Sequence, residues 1–312
     1  MAGGVGVSPL RESLADYLTL RRAMGFRLDR AEKLLGQFID HLEQHGADVI
    51  TIEHAVAWAT QPGGAPWWHA LRLSAVRGFA RYMHTLDPRT QVPPPDLIPG
   101  RQRRATPYLY SDDEIRAVIA AARGLPHPML AATYPALIGL LAVSGIRIGE
   151  AIALDTNDFD QHQDVLTVRF GKFSKSRLLP LHASTGDRLR DYLRVRDRLH
   201  PTPVTDTLFV SAAGTRMDQS RVSKIFNRLT RQAGLVPRSA SCRPRIHDLR
   251  HGFAVATILD AYRRGEDVPA VLARLATYLG HTDPKHTYWY LDAAPELLAI
   301  AADLLETHSG ER

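Results

Sequence analysis

Ser144-Gly145-Ile146-Arg147-Ile148-Gly149-Glu150 sets a glycine turn, then an arginine at the start of a helix, then a carboxylate one turn later. Residues three apart share a helix face, so Glu150 can hold the Arg147 guanidinium in place. An ordinary surface ion pair would have the same spelling. The run before it, Met129 to Val143, is apolar apart from Thr133, Tyr134 and Pro135. It falls short of the roughly 20 residues that cross a bilayer and reads as a buried core helix.

Two further clusters stand downstream. His247-Asp248-Leu249-Arg250-His251 precedes the apolar run Phe253 to Leu259. His247 and Arg250 share a face there, an acid–base group beside a fork of donors suited to phosphate oxygens. His247 and His251 also imitate a two-histidine zinc helix, with Asp248 where a metalloprotease carries Glu. The fixed charge of Arg250 disfavours a dication, so no metal is expected. The third cluster is Leu279-Gly280-His281-Thr282-Asp283-Pro284-Lys285-His286-Thr287-Tyr288-Trp289-Tyr290, whose aromatics core packing alone would explain.

Composition bounds the reading. The 312 residues are 45% hydrophobic and 23% charged, ordinary for a folded chain of one or two domains. Lys plus Arg number 39 against 33 Asp plus Glu, a net charge of +6 that favours a polyanionic partner, nucleic acid before membrane. Cys242 is the only cysteine, which excludes an internal disulfide and a cysteine-rich zinc site and fits a reducing cytoplasm. The first seven residues have neither the basic nor the apolar region of a secretory signal, and Ala2 removes N-myristoylation.

Short amphipathic helices are predicted across residues 1–100. Ser8 is placed to cap the first, with Leu10, Leu14, Tyr17 and Leu18 on one face and Gly25 as its stop. Leu35, Phe38, Ile39 and Leu42 mark the second, which Gly46 ends, and a short third helix covers Ile52 to Ala59. The fourth sets Trp67, Leu71, Phe79, Tyr82 and Met83 inward and Arg72, Arg77 and Arg81 outward, either as a plain solvated face or as DNA contacts. Val92-Pro93-Pro94-Pro95 to Arg101-Gln102-Arg103-Arg104 is a stiff basic connector, with the linker proper at 101–107. Residues 108–312 then begin with a capping box, Ser111 and Glu114. Val165 to Phe170 and Arg177 to Leu181 flank a Gly171-Lys172 turn and predict a hairpin. Helices are expected at about Asp187 to Leu199, Ser220 to Ala233, Ile246 to Leu259 and Pro295 to Glu306, and a short strand at Leu208-Phe209-Val210.

Arg147, Lys172 in a hairpin, His247 with Arg250, His281, and Tyr290 nine residues later: this order resembles the tyrosine recombinase (phage integrase) family. The resemblance covers Tyr108 to Glu306 by motif and the first hundred residues by pattern. It implies a mainly α fold with a small antiparallel sheet. A helical, SAM-like core-binding domain and a catalytic domain would close as a C-shaped clamp on DNA. It implies Tyr290 as nucleophile, Arg147 and Arg250 as phosphate clamps, Lys172 as general acid, and His247 and His281 completing the phosphate site. Glu150 matches the family's acidic position, and Thr287 its threonine three residues before the nucleophile. Phe173 replaces the glycine usual after the hairpin lysine, which leaves Lys175 in competition with Lys172, as Tyr288 is with Tyr290. The stretch Arg263 to Thr277 is longer than usual, and His286 and Leu291-Asp292 are atypical.

The chemistry suits these residues. A phosphodiester attacked by a phenol passes through a phosphorane with extra negative charge, which guanidinium and imidazole donors stabilise. A phenol with a pKa near 10 needs a base or a cationic pocket, and His247 is the candidate base. The implied partners are duplex DNA with inverted-repeat core sites and three further copies of the chain, with Leu297, Leu298, Ile300, Leu304 and Leu305 as an apolar stripe for a neighbour or for its own domain. Arg72, Arg77, Arg81, Arg101, Arg103 and Arg104 are the candidate DNA contacts outside the site. No cofactor is implied; accessory recombinases or directionality factors fit the family. A type IB topoisomerase shares the catalytic set, and a DNA-binding regulator without catalysis shares the charge.

Overall fold

The computed structural model describes residues 8–26, 28–61, 63–100, 105–169, 176–202 and 204–280. The chain divides into two compact units, 1–104 and 105–312.

Among the described residues the first unit is four helices, α1 (Pro9–Ala23), α2 (Asp29–Gln44), α3 (Ile52–Thr60) and α4 (Pro66–Leu86). The apolar positions read from the sequence build its core. Leu10, Leu14, Tyr17 and Leu18 of α1 meet Leu35, Phe38, Ile39 and Leu42 of α2, with Trp58, Phe79 and Met83. Rings of Phe38 and Trp58 pack 5.3 Å apart, and Tyr17 lies 5.5 Å from Phe79. Two local expectations differ. Ser8 precedes α1 in the extended backbone of a cap, but its hydroxyl donates to Glu43 Oε1 (2.5 Å) rather than accepting from the helix. Trp67, at the start of α4, is exposed instead of joining the core.

In the second unit the capping box forms as its sequence requires. Ser111 Oγ accepts from the Glu114 N–H (3.2 Å), and Glu114 Oε2 from that of Ser111 (2.8 Å), opening α5 (Asp112–Arg123). The apolar run becomes α6 (Pro128–Ser144), which packs against α5, α8 (Ala183–Leu199) and α10 (Asp248–Arg263). Thr133, Tyr134, Leu137, Ile138, Leu140 and Leu141 are buried, while Pro135, half-buried inside the helix, has no N–H to give the Ala131 carbonyl one turn back. Between α6 and α8 lie α7 (Ile148–Ala153) and a three-stranded antiparallel sheet, β1 (Phe159–Asp160), β2 (Val165–Val168) and β3 (Arg177–Pro180), in that order. Val165 faces Pro180 and Val168 faces Arg177, so Leu166, Val168 and Leu179 fall on the core side.

Leu208-Phe209-Val210 is fully buried but makes no strand. Thr207 bridges Asp155 and Val210 bridges Arg216, an isolated pairing on each side. After α9 (Gln219–Gln232) and α10, the stretch Arg263 to Thr277 that is longer than usual holds most of a helix, α11 (Val268–Leu279). Asp267 caps it, its side chain accepting from the Ala270 N–H, with Pro269 in its first turn. No helix among the described residues is long and apolar enough to cross a membrane.

Candidate active site

Gly145 is where the site starts. It ends α6 in the left-handed conformation (φ +58°), which glycine adopts without cost, and turns the chain so that Arg147 stands at the N-cap of α7. The backbone comes so close to α10 that a Cβ at Gly145 would lie 2.5 Å from Phe253 Cδ1. Glu150 then engages Arg147 twice: Oε2 accepts from the Arg147 N–H (3.1 Å) and Oε1 from Nη1 (2.8 Å). The i, i+3 pair expected from the sequence therefore exists, and it is no loose surface bridge, since the Glu150 side chain is only 10% exposed.

Arg250 reaches the same place from α10. It is 2% exposed; Nη1 donates to Gly145 O (2.7 Å) and Nη2 to Leu279 O (2.8 Å). Arg147 Nη2 donates to the next carbonyl, Gly280 O (3.2 Å). The last carbonyls of a helix have no intrahelical partner and carry its negative dipole end, which is why guanidiniums gather at the end of α11. Two arginines more than a hundred residues apart are thus fixed against adjacent peptide oxygens.

His247 lies at the surface one turn before Arg250. Desolvation by the protein around it, then the charges of Arg250, Arg147 and Arg245, push its pKa down to about 4, so in the free protein the imidazole is neutral at pH 7. The neighbouring Asp248 is wholly buried and pairs with Arg245, Oδ1 to Nη2 at 2.9 Å and Oδ2 to Nε at 3.0 Å. Burial raises its pKa despite that pair. Asp248 is therefore a structural anchor for the start of α10, held further by Tyr110 donating to Arg245 O (3.0 Å). The His247 and His251 rings are 5.0 Å apart, and among the described residues no group of three or more His, Cys, Asp or Glu is arranged around a metal position.

Arg177 was missed as a site residue. It donates through Nη2 to Glu150 Oε2 (2.8 Å) and through Nε to Tyr278 O (2.8 Å), so three consecutive carbonyls, Tyr278, Leu279 and Gly280, each hold one arginine. A signal existed: Arg177 and Leu179 alternate onto the inward face of the predicted strand, and an inward charge demands a carboxylate. Lys172 and its rival Lys175, His281, Tyr290 and its rival Tyr288, the helix expected at 295–306, and Arg101, Arg103 and Arg104 lie outside the described residues.

The basic face of α4 requires correction. Arg72 is buried, its guanidinium 3.7 Å over the Trp58 ring with Nη2 donating to Trp58 O (2.7 Å), so it belongs to the core of the first unit. Arg77 is half-buried and spends its donors on Pro93 O (2.8 Å), Pro94 O (2.8 Å) and Pro95 O (3.2 Å), fastening the proline segment to α4. Of the three, Arg81 is the exposed one.

The mainly helical unit with its small antiparallel sheet matches the fold that the sequence resemblance implies, and comparisons with known proteins bear on it. The model of the phage integrase family matches residues 109–296. A putative integrase/recombinase of Sinorhizobium fredii, y4rB, is 42% identical over 98% of this chain and 100% of its own. Tyrosine recombinase XerD of Caulobacter vibrioides is 31% identical over 82% and 80%. Among solved structures, the Tn1549 transposon integrase in complex with transposon right end DNA superposes with a TM-score of 0.63 at 16% identity, covering 95% of this chain and 98% of that one. A lambda integrase dimer bound to a core site gives 0.58 at 18%, over 90% and 76%. The chain belongs to the phage integrase family of tyrosine recombinases, enzymes that cleave and rejoin DNA.

Proposed function

We propose that the protein is a site-specific DNA recombinase of a mobile element, working through a covalent 3′-phosphotyrosine on Tyr290. The observation that carries this reading is the joint fixation of Arg147 and Arg250 on the carbonyls of Leu279 and Gly280, directly before His281 in sequence. The two guanidiniums are the clamps for the nonbridging oxygens of the scissile phosphate. His247, neutral at pH 7, accepts the proton of the Tyr290 phenol as its oxygen attacks phosphorus. The P–O5′ bond breaks, and Lys172 gives a proton to the leaving 5′ oxygen. Resealing reverses these transfers, with the 5′ hydroxyl of another strand attacking the phosphotyrosine. The ester keeps the bond energy, so no nucleotide is consumed, and the charge a metal would neutralise falls to arginine and histidine. The first unit, through Arg81 and the 101–104 arginines, and the second each bind inverted-repeat DNA. Four copies assemble there through residues 295–306, with or without accessory factors, in the cytoplasm.

The test begins with a duplex selected from a random-sequence pool by retention on the wild-type chain. On a denaturing gel, wild type and Tyr288→Phe should form a covalent complex in excess EDTA, and Tyr290→Phe should not, while all three shift the duplex equally. A complex that vanishes with Tyr288→Phe instead, or with chelation, rejects this assignment.

A further inference from the structure

A carboxylate that orients a phosphate-binding arginine also cancels its charge. Glu150 holds Arg147 at 2.8 Å, close enough to spend most of the positive potential that a phosphate would use. The structure gives this carboxylate a second cation. Arg177 binds Glu150 through Nη2 to Oε2 at 2.8 Å and Nη1 to Oε1 at 3.3 Å, so each carboxylate oxygen serves both arginines. Two guanidiniums on one carboxylate leave a net +1.

The geometry also separates the roles of the two arginines. The Arg177 side chain is 14% exposed against 29% for Arg147, and its Nε is committed to Tyr278 O behind the site. Arg177 enters from β3, paired opposite Val168, not from the helices that present Arg147 and Arg250. Gly280 leaves room for it: a Cβ there would stand 3.1 Å from Arg177 Nη1. Burial would raise the Glu150 pKa, but the hydrogen bonds and charges of Arg177 and Arg147 outweigh it and hold it below the usual value, so the carboxylate stays ionised and its charge must be balanced.

We propose that Arg177 is a positioning residue that shares Glu150 with Arg147, so that the carboxylate orients Arg147 without neutralising it. The inference rests on Arg147 being a phosphate ligand. Its signature is a reversal: with Arg177 uncharged, removing the Glu150 charge should help.

The assay is single-turnover covalent-complex formation by the full chain on the selected duplex, with DNA affinity measured beside it. Arg177→Gln keeps a donor without the charge and should slow cleavage about 100-fold, the scale of losing one electrostatic contact to the transition state, with affinity nearly unchanged. Adding Glu150→Gln to that variant should raise the rate about tenfold. Arg177→Lys, which keeps the charge, should stay within about tenfold of wild type. A double variant as slow as Arg177→Gln or slower would make Arg177 a mere brace and overturn the inference, as would a wild-type rate for Arg177→Gln. Arg147→Ala, run in parallel, reports on the underlying reading. If it cleaves normally, the phosphate-ligand role of Arg147 is what fails. If it is inactive while the double variant shows no recovery, only the charge-sharing inference fails.

Discussion

Replacing Gly145 with alanine should damage the second unit out of proportion to one methyl group. Two costs combine. At φ +58° an L-residue pays about 1–2 kcal/mol for the left-handed conformation. The new Cβ would lie 2.5 Å from Phe253 Cδ1 and 3.1 Å from Leu279 Cδ2. The Phe253 ring has little freedom to retreat, because it stacks on Tyr278 with centroids 5.7 Å apart. Overpacking of that kind adds about 1–3 kcal/mol, so the total is roughly 2–5 kcal/mol. Gly234→Ala is the control, since it shares the positive φ (+76°) but a Cβ there meets nothing within 4 Å. Its loss should be about 1–2 kcal/mol, the conformational part alone. Hydrogen exchange of the α6 and α10 amides across a urea series measures both against wild type. Cleavage should fall as well, because the displaced Gly145 carbonyl is the acceptor of Arg250 Nη1. If the two alanine variants lose equal stability, the close approach of α6 to α10 is not what makes glycine necessary, and the account of the site's starting point is wrong.

Other outcomes test the proposed function and the geometry described above. Lys172→Ala should abolish cleavage of ordinary DNA yet cleave a duplex with sulfur at the bridging 5′ position, since a thiolate with a pKa near 8.5 leaves without protonation; rescue of Lys175→Ala alone would transfer the role to that lysine. For His247, the folded pKa of about 4 lies below its ordinary 6.5, so the folded state binds fewer protons in that window and stability falls as pH drops from 6.5 to 4. His247→Gln should flatten that fall in acid titrations of the α10 amides, and an unchanged slope would contradict the assigned shift. Arg72→Ala should destabilise the first unit by about 1–3 kcal/mol in urea unfolding followed by Trp58 fluorescence. Arg81→Ala should leave stability within about 0.5 kcal/mol but reduce the salt dependence of DNA binding by about one unit of slope; the opposite assignment of effects would restore Arg72 to the DNA.

The helices were legible because periodicity and punctuation agreed. Leu10, Leu14 and Leu18, or Phe38 and Leu42, repeat at helical spacing between Pro, Ser and Gly stops, and the same residues are buried. Leu208-Phe209-Val210 failed for the opposite reason. A short apolar run records burial, not hydrogen bonding, and here the buried segment pairs with its neighbours one residue at a time. The helix α11 carried its own start signal in Asp267 and Pro269, which family spacing obscured. Of the site, Arg147 and Glu150 could be paired from sequence because the contact is local. Arg250 with Gly145 and Leu279, or Arg177 with Glu150, could not, since those contacts join separate elements.

Arginine made the surface hardest to read, and the reason is chemical. Arg72, Arg77 and Arg81 recur along one helix and look alike in a helical projection. One lies over Trp58, one collects three proline carbonyls, and one meets solvent. A guanidinium has five donors and a weakly hydrated plane, so it can be buried against carbonyl oxygens or aromatic faces where an ammonium would resist dehydration. The candidate active site uses the same property. A carbonyl is a neutral acceptor, able to fix a guanidinium in direction without subtracting its charge, whereas a carboxylate does both. The described hydrogen bonds of Arg250 run to Gly145 O and Leu279 O, and Arg147 and Arg177 share the single carboxylate of Glu150 while each also donates to a carbonyl, Gly280 O and Tyr278 O. On the proposed function the site must attract phosphate and gains from that choice of partners, and the end of α11, with three peptide oxygens in a row, supplies them at one place.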